Sequence, residues 1–497
     1  MKLQFGFYKK CLVCLTAIVL MAGCKKEFLE RKPKGQLTFD TFFETADHAV
    51  QATNAVYANF RSWDMCAFPW IGITDIISDD ADKGSTANDA LYLLELDDFT
   101  FDATNSAFAG AWSGNYQTIS RANLAIENIP RIDMDDKLKQ RLIGENKFLR
   151  AYTYLRLVQW FGPVPVITRP LTEEEYFTQE RRPVSEVYDL IEKDLLDAIA
   201  VLPKKSEYAP GDLGRATKGA AQGMLAKLYM VKKDFGNAEK YALEVINSGE
   251  YSLLTRYADN FLPEGENGAE SVFEIGAVAI QAAVAGPGAT PYNMIHGVRG
   301  IPNLGWGFNR PSDDLVAAYE PGDPRRQATI IYVGEVLPDG STIVEDNPDI
   351  LNERYNQKAW VADHPGLQDN GPGNLRLLRY ADILLLAAEA LNENGKSTEA
   401  LPYLELVRKR ARGSNNFILP EITTTDKAEL REKIYHERRV ELAMEQHRWF
   451  DLVRWGRAAQ VMQAVGKNFV AGKNELLPLP QSEIDLSGGN LNQNAGY

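Results

Sequence analysis

"YADILLLAAEALNENG", running from Tyr380 to Gly395, is the stretch that decides the fold. Tyr380, Ile383, Leu384, Ala387, Ala388 and Leu391 recur at i, i+3, i+4, i+7, i+8 and i+11, which is one face of an α-helix. Gly395 stops the helix, and Ser397 can cap the next, with Pro402 in its first turns. The same helix–turn–helix reading fits residues 219–247, broken at "KKDFGN". The two hairpins match in detail. Leu225, Ala226, Tyr229, Ala238, Ala242 and Val245 fall 162 residues before Ala387, Ala388, Leu391, Ala400, Leu404 and Val407. Small or apolar residues at every equivalent offset follow the tetratricopeptide logic, with small residues where paired helices cross closely. Helical hairpins at 140–200 and 427–460 are further expected units, making about four. Such a pair cannot bury its apolar face alone, so the units stack into a scaffold. The fold class is therefore mainly α, with long irregular loops and small β elements expected to carry the ligand face.

The chain has 497 residues, more than one ordinary core accommodates, and its 45% hydrophobic and 25% charged composition is that of a folded protein. A formal net charge of −14 argues against nucleic acid, which demands a basic binding face. The first residues differ. Lys2, Lys9 and Lys10 precede an apolar run from Cys11 to Gly23, too short to span a bilayer and right for a signal peptide over residues 1–23. Its removal takes three lysines and no acid, leaving −17, and carries away Cys11 and Cys14. "LMAGC" resembles a bacterial lipobox, with Ala22 and Gly23 before Cys24 and Met21 where leucine is commoner. Acylation of Cys24 would give stable membrane anchoring, because two or more chains hold where one does not. Only Cys66 then remains, so no internal disulfide is expected. No later segment is apolar enough to cross a membrane. The mature chain, 24–497, divides into an N-terminal part to about 260, a loop-rich insert over about 261–376, and a C-terminal helical part over about 377–497.

Loops concentrate in two places. Residues 61–115 carry many aromatics and acids, and residues 286–311 hold six glycines and four prolines. Long loops in a compact domain are uncommon unless they carry function. A catalytic set is not evident. Five histidines make no H-E-x-x-H, and there is no G-x-S-x-G. "NGKS" at 394–397 has Ala390 where a phosphate loop needs glycine, and "GWGFNR" at 305–310 ends in Arg310 rather than a third glycine. "SDDAD" at 78–82 stays open between a solvated loop, ligand contact and a cation site; counted from Asp80, Leu91 stands where a calcium loop needs glutamate. Neither metal nor cofactor is expected. "HERRVELAMEQHRWFDLVRWG", His436 to Gly456, looks chemical but reads as scaffold. On one helix Val440, Ala443, Met444 and His447 share a face, and Arg438, Glu441, Glu445 and Arg448 pair opposite charges at i+3 and i+4. Trp449, Leu452 and Val453 extend the apolar stripe.

That same stretch resembles a signature of the SusD/RagB family of outer-membrane nutrient-binding lipoproteins. So do "KFLRAYTYLRLVQWFGPVPVIT" at 147–168, "YADILLLAAEALNENG", and the closing "LLPLPQSEIDLSGGNLNQNAGY", with Ala495 where proline is common. With "CKKEFLERKP" after the lipobox and "DPRR" at 323–326, the similarity covers essentially the whole mature chain. The resemblance implies a surface lipoprotein, not an enzyme, that acts as a lid on a SusC-like TonB-dependent transporter and passes it an oligosaccharide or, in some members, a peptide. Contact residues differ among members, so none is carried over by motif.

Site candidates rest on chemistry instead. A pyranose ring stacks its C–H face on tryptophan or tyrosine and offers hydroxyls to Asp, Asn or Arg. Trp306, Phe308 and Asn309 lie in the 286–311 loop, with Tyr292 and Arg310 close by, and Trp63 and Trp70 flank the approach to Asp79 and Asp80. Apolar walls with a few placed polar groups make a pocket. Trp112, Trp449 and Trp455 sit in helical patterns and are assigned to packing. Two other readings compete: a lipid-anchored repeat scaffold with only protein partners, and a surface hydrolase with dispersed carboxylates.

Overall fold

The computed structural model describes residues 42–278, 288–302, 305–337, 339–345, 347–361 and 371–497. The signal peptide and Cys24 lie outside them, as do parts of the 286–311 loop. The chain is mainly helical, with three small two-stranded antiparallel sheets among the described residues. Its principal helices are α1 (Ala46–Asn59), α2 (Leu91–Asp98), α3 (Ser106–Asn128), α4 (Asp136–Phe161), α5 (Val184–Val201), α6 (Lys218–Lys232), α7 (Phe235–Asn247), α8 (Tyr380–Glu393), α9 (Ser397–Arg412), α10 (Lys427–Leu442) and α11 (Arg448–Arg454).

Both hairpins read from the sequence form, as α6–α7 and α8–α9, and α7 packs on α8 so that the pairs stack. The small-residue logic holds at the crossing. A Cβ on Gly223 of α6 would stand 2.8 Å from side-chain carbons of Ile383 and Leu378. Helix α8 is buried from Tyr380 to Asn392, on every face, as suits the central helix of a stack. The 140–200 unit is a pair, α4 against α5, joined by a long connection. Asp135 caps α4 by accepting from the Leu138 amide, and the buried Arg150 of α4 bridges to Asp194 of α5 through two bonds of 2.7 and 2.8 Å.

The 427–460 segment forms a helical pair, antiparallel through Arg438–Asp451 and the Tyr435–Trp455 stack, but the break falls inside the stretch read from the sequence as one helix. α10 stops at Leu442, Met444 and Gln446 take left-handed backbone conformations (φ 61° and 62°), and α11 starts at Arg448. Left-handed non-glycine residues cost about 1–2 kcal/mol each, so something must offset the break. The charges supply the reason, because they point inward. Glu441 and Glu445, both buried, converge on Arg379: its Nε lies 2.6 Å from Glu445, and its Nη1 lies 3.0 Å from Glu441 and 2.5 Å from Glu270. Arg410 adds to Glu441 and Glu270, and Lys358 donates to Glu445 at 2.6 Å. Arg325, wholly buried, pairs with Asp323, Glu437 and Glu441, so "DPRR" and "HERRVE" form one ionic core. The pairings expected at i+3 and i+4 within the helix are therefore made with other elements. Trp449 and Trp112 are buried, and Trp455 stacks on Tyr435 at 3.7 Å, consistent with packing roles.

Three strand pairs complete the fold: β1 (Ala81–Gly84) with β3 (Phe308–Pro311), β2 (Ser271–Ile275) with β6 (Leu375–Arg379), and β4 (Ile330–Tyr332) with β5 (Arg354–Asn356). In the first, Gly84 faces Phe308 and Asp82 faces Arg310, which brings the 61–115 and 286–311 segments together.

Candidate functional site

The site grows from that β1–β3 pair. Gly84 has φ +70°, and a Cβ there would lie 2.5 Å from the Gly307 carbonyl, so only glycine lets the two strands end this close together. Ser85 N donates to the Gly307 carbonyl at 2.8 Å, and Asn352 Nδ2 donates to it at 2.7 Å. The amides of Gly305, Trp306 and Gly307 donate to Val298, Met294 and Gly297 at 2.8–2.9 Å. Trp306 thus stands on a backbone held residue by residue. Its ring lies 5.9 Å from Trp63 and 5.8 Å from Phe68, while Phe68 meets Phe308 edge-on at 4.5 Å.

Phe68, Trp306 and Phe308 wall an open cleft of about 700 Å³ whose polar members are Asp89, Arg299 and Asn347. Arg299 Nη1 binds both the Ser85 hydroxyl and the Asp89 carboxylate. Partial burial raises the Asp89 carboxyl, but hydrogen bonds from Arg299, Thr86 and Ser85 hold it below the usual carboxylate range. Lys83 pins the same loop by donating to the carbonyls of Thr86 (2.7 Å) and Asp89 (2.9 Å). Among the described residues, Arg299 Nη2 and Nε and Asn347 Nδ2 have no hydrogen-bond partner. The cleft therefore combines aromatic faces, unspent donors and a carboxylate, fixed before any ligand arrives.

Of the residues proposed from the sequence, Trp306 and Phe308 line this cleft and Trp63 backs Trp306. The structure takes the others away from it. Asp79 and Asp80, expected on an approachable loop, are buried and paired with Arg448 (2.7 Å) and Arg439 (2.8 Å). Paired carboxylates are the form in which an interior tolerates them. Trp70 is interior, with the Arg156 guanidinium 3.8 Å above its ring. Arg310 pairs with Asp82 across the strands.

Asn309 is buried beneath the cleft, where its Nδ2 donates to Asp75 at 2.9 Å and to His296 Nε2 at 3.0 Å. The tautomer follows: a carbonyl only accepts, so His296 Nδ1 carries the proton toward Tyr292 O at 2.7 Å and Nε2 is left to accept. Gln446 closes the set, donating from its amide and side chain to Asp75 and from Nε2 to the Tyr292 hydroxyl at 3.1 Å. Burial pushes the Asp75 carboxyl up to about 6 and the His296 imidazole down to about 4.

Phe68, Asp89, Arg299 and Asn347 went unread in the sequence. Arg299 was findable, because it lies inside the Gly/Pro-rich loop, whereas Asp89 and Asn347 carry no local signal. Among the described residues no group of three or more His, Cys, Asp or Glu is placed to hold a metal ion, and no helix is long and apolar enough to cross a membrane.

A stacked helical scaffold presenting a preformed, aromatic-walled cleft has the make-up of a ligand-binding protein. The chain belongs to the SusD/RagB family. The family model described as "SusD family" matches residues 292–497, and that described as "Starch-binding associating with outer membrane" matches residues 27–230. SusD-like protein P38 of Formosa agariphila is 30% identical, with 90% of this chain and 91% of that one covered. SusD-like protein P2 of the same organism is 29% identical over 97% and 99%. Among solved structures, a laminarin-binding SusD-like protein is 29% identical with a TM-score of 0.79, covering 91% of this chain and 100% of its own. Surface glycan-binding protein A from Bacteroides thetaiotaomicron, in complex with laminarihexaose, is 26% identical with a TM-score of 0.77, covering 90% and 99%.

Proposed function

We propose that this protein is a lipoprotein anchored in the outer membrane through acylated Cys24, that it binds a neutral oligosaccharide in the Trp306 cleft, and that it hands the sugar to a SusC-like TonB-dependent transporter without altering it. The observation that carries the reading is the cleft itself: Trp306 held by three consecutive backbone bonds beside the Arg299–Asp89 pair. Trp306 and Phe308 offer faces for sugar C–H groups, and Arg299, Asn347 and Asp89 reach hydroxyls. A neutral ligand fits because Asp89 already compensates Arg299 and the chain without residues 1–23 carries −17, which repels polyanions. The glycan-binding names among its structural relatives agree with a sugar. The family's outer-membrane description agrees with the location.

The test is titration calorimetry of the purified protein against laminarin, laminarihexaose, starch, xylan and mannan oligosaccharides, sulfated and uronic glycans, and a peptide pool. Binding of a neutral glycan, lost in Trp306→Ala and with the sugar recovered intact, is the expected result. A peptide ligand, a polyanion, or a cleaved sugar each overturns it.

A further inference from the structure

A second groove lies on α3, away from the cleft. Gly110 and Gly114 of this helix pack on Pro69, Asp64 and Met65, in the segment that supplies Trp63 and Phe68 to the cleft. Trp112 projects about 200° around the helix from Gly110, at 100° per residue. There Trp112 and Tyr116 lie 4.8 Å apart and form the floor of a groove of about 370 Å³, within the range of about 300–1,000 Å³ typical of ligand sites. Its walls are the 165–179 segment and the C-terminal stretch, which are tied together by Asn490 donating to the Phe177 carbonyl at 3.1 Å.

The chemistry of the lining is specific. Tyr116 is fixed by its hydroxyl donating to Pro165 O at 2.9 Å. Tyr176 is 53% exposed at the rim, on a turn whose start is closed by the reciprocal Thr172–Glu175 cap. Ser113, Gln117 and Ser120, one above another on α3, make no side-chain hydrogen bond among the described residues, and Gln179 spends only its Nε2, on Glu175 O at 2.7 Å. Arg169 is taken up by Glu175. Glu483, lifted by partial burial and held by Trp112, is then the one charge in the lining without a counter-ion among the described residues. Tyrosine faces set among Ile119, Ile167 and Leu171 and edged by uncharged hydroxyls and amides, with a single carboxylate acceptor, match a neutral ligand that has both apolar C–H faces and hydroxyls. They do not suit a polyanion, which the lone carboxylate would repel.

We propose that this groove is a second contact for a neutral glycan chain, separate from the Trp306 cleft and weaker than it, so that a polymer is held at two points. The inference rests on the sugar-binding reading of the cleft. Two-point attachment raises avidity for long chains without changing either site.

The test uses the purified protein, Tyr176→Ala/Gln179→Ala, Trp306→Ala and the triple variant. The probes are laminarin and laminarihexaose, or the polymer and hexasaccharide of whichever neutral glycan the calorimetry panel returns. The substituted groove side chains are surface groups, and circular dichroism checks that they leave the fold intact. The expected result is a fall of about 100-fold in polymer affinity for the groove variant. Its hexasaccharide stoichiometry falls from two to one while the tighter site is unchanged, and the triple variant binds nothing. One hexasaccharide per wild-type chain, or a groove variant that holds polymer like wild type, overturns this proposal and leaves the cleft standing. A wild-type protein that binds no glycan overturns both.

Discussion

Trp306 and Trp63, distant in sequence, meet with ring centroids 5.9 Å apart and planes inclined at 53°, and both pack on Phe68. The cleft's aromatic wall is thus assembled from two short helices, Trp63–Cys66 and Phe68–Ile71, and the 305–308 stretch, which the β1–β3 pairing helps to bring together.

Because Trp306 presents its remaining face to the cleft, Trp306→Ala removes the stacking platform. Hot-spot aromatics are worth about 2 kcal/mol or more, so calorimetry against the bound oligosaccharide reads a loss of about 30-fold or more. Loss of its packing on Trp63 and Phe68 lowers the unfolding midpoint as well, so binding is read at a temperature where circular dichroism shows the variant folded.

Gly305→Ala tests whether the backbone, rather than the ring alone, sets the platform. The added Cβ would fall 2.1 Å from the Met294 carbonyl and 2.7 Å from Gly297 Cα, so the loop must move. The expected result is a stability cost of about 1–3 kcal/mol, as for overpacking elsewhere, together with loss of glycan binding although every ligand-facing side chain is retained. Tryptophan fluorescence and calorimetry report both.

Arg299→Met and Asp89→Asn separate recognition from stability. The pair is partly exposed, where an ion pair contributes about 0–1 kcal/mol, so denaturant midpoints barely move. The proposed reading puts both groups on ligand hydroxyls, so calorimetry is expected to show weaker binding in both variants.

Glu441→Gln strikes the ionic core. Arg325, Arg379 and Arg410 all lean on this buried carboxylate, and removing one partner of a buried ion pair costs about 3–5 kcal/mol. Denaturant unfolding shows a shift of that size, with no direct effect on the cleft.

Acid sensitivity follows from two buried imidazoles. Burial holds His296 at about 4, and burial with the Lys227 ammonium beside it holds His447 at about 4, both below the usual 6.5. Between pH 6.5 and 4 the unfolded chain binds protons there that the folded chain does not, so their stabilisation is complete above 6.5 and lost as pH falls. Each contributes on the order of 3 kcal/mol. Asp75, raised to about 6, runs the other way between 3.8 and 6 and offsets about one of the two. The midpoint therefore drops on acidification, and in His447→Gln that slope is shallower by about one proton.

The helical stack was legible because its signals are local. Periodicity at 380–391, Gly395, and the small-residue match with 219–247 each need only a short window. The cleft was half legible: Gly/Pro density pointed to the loop that carries Trp306 and Phe308, and also holds Arg299. Asp79, Asp80 and Asn309 misled because composition shows that a side chain is polar, not that Arg439, Arg448 or His296 will cover it from afar. The break after Leu442 was hidden for a related reason. Within the helix the charges satisfy the i+4 rule, and only Arg379 and Lys358, supplied by other elements, reveal where Glu445 must point.

Those long-range pairings also set a timetable. Asp80 and its partner Arg439 stand 359 residues apart, Asp79 and Arg448 369, and Asp75 waits 371 for Gln446. A chain made from its N-terminus displays these carboxylates well before their partners exist, so the three pairings form only once residues 439–448 arrive.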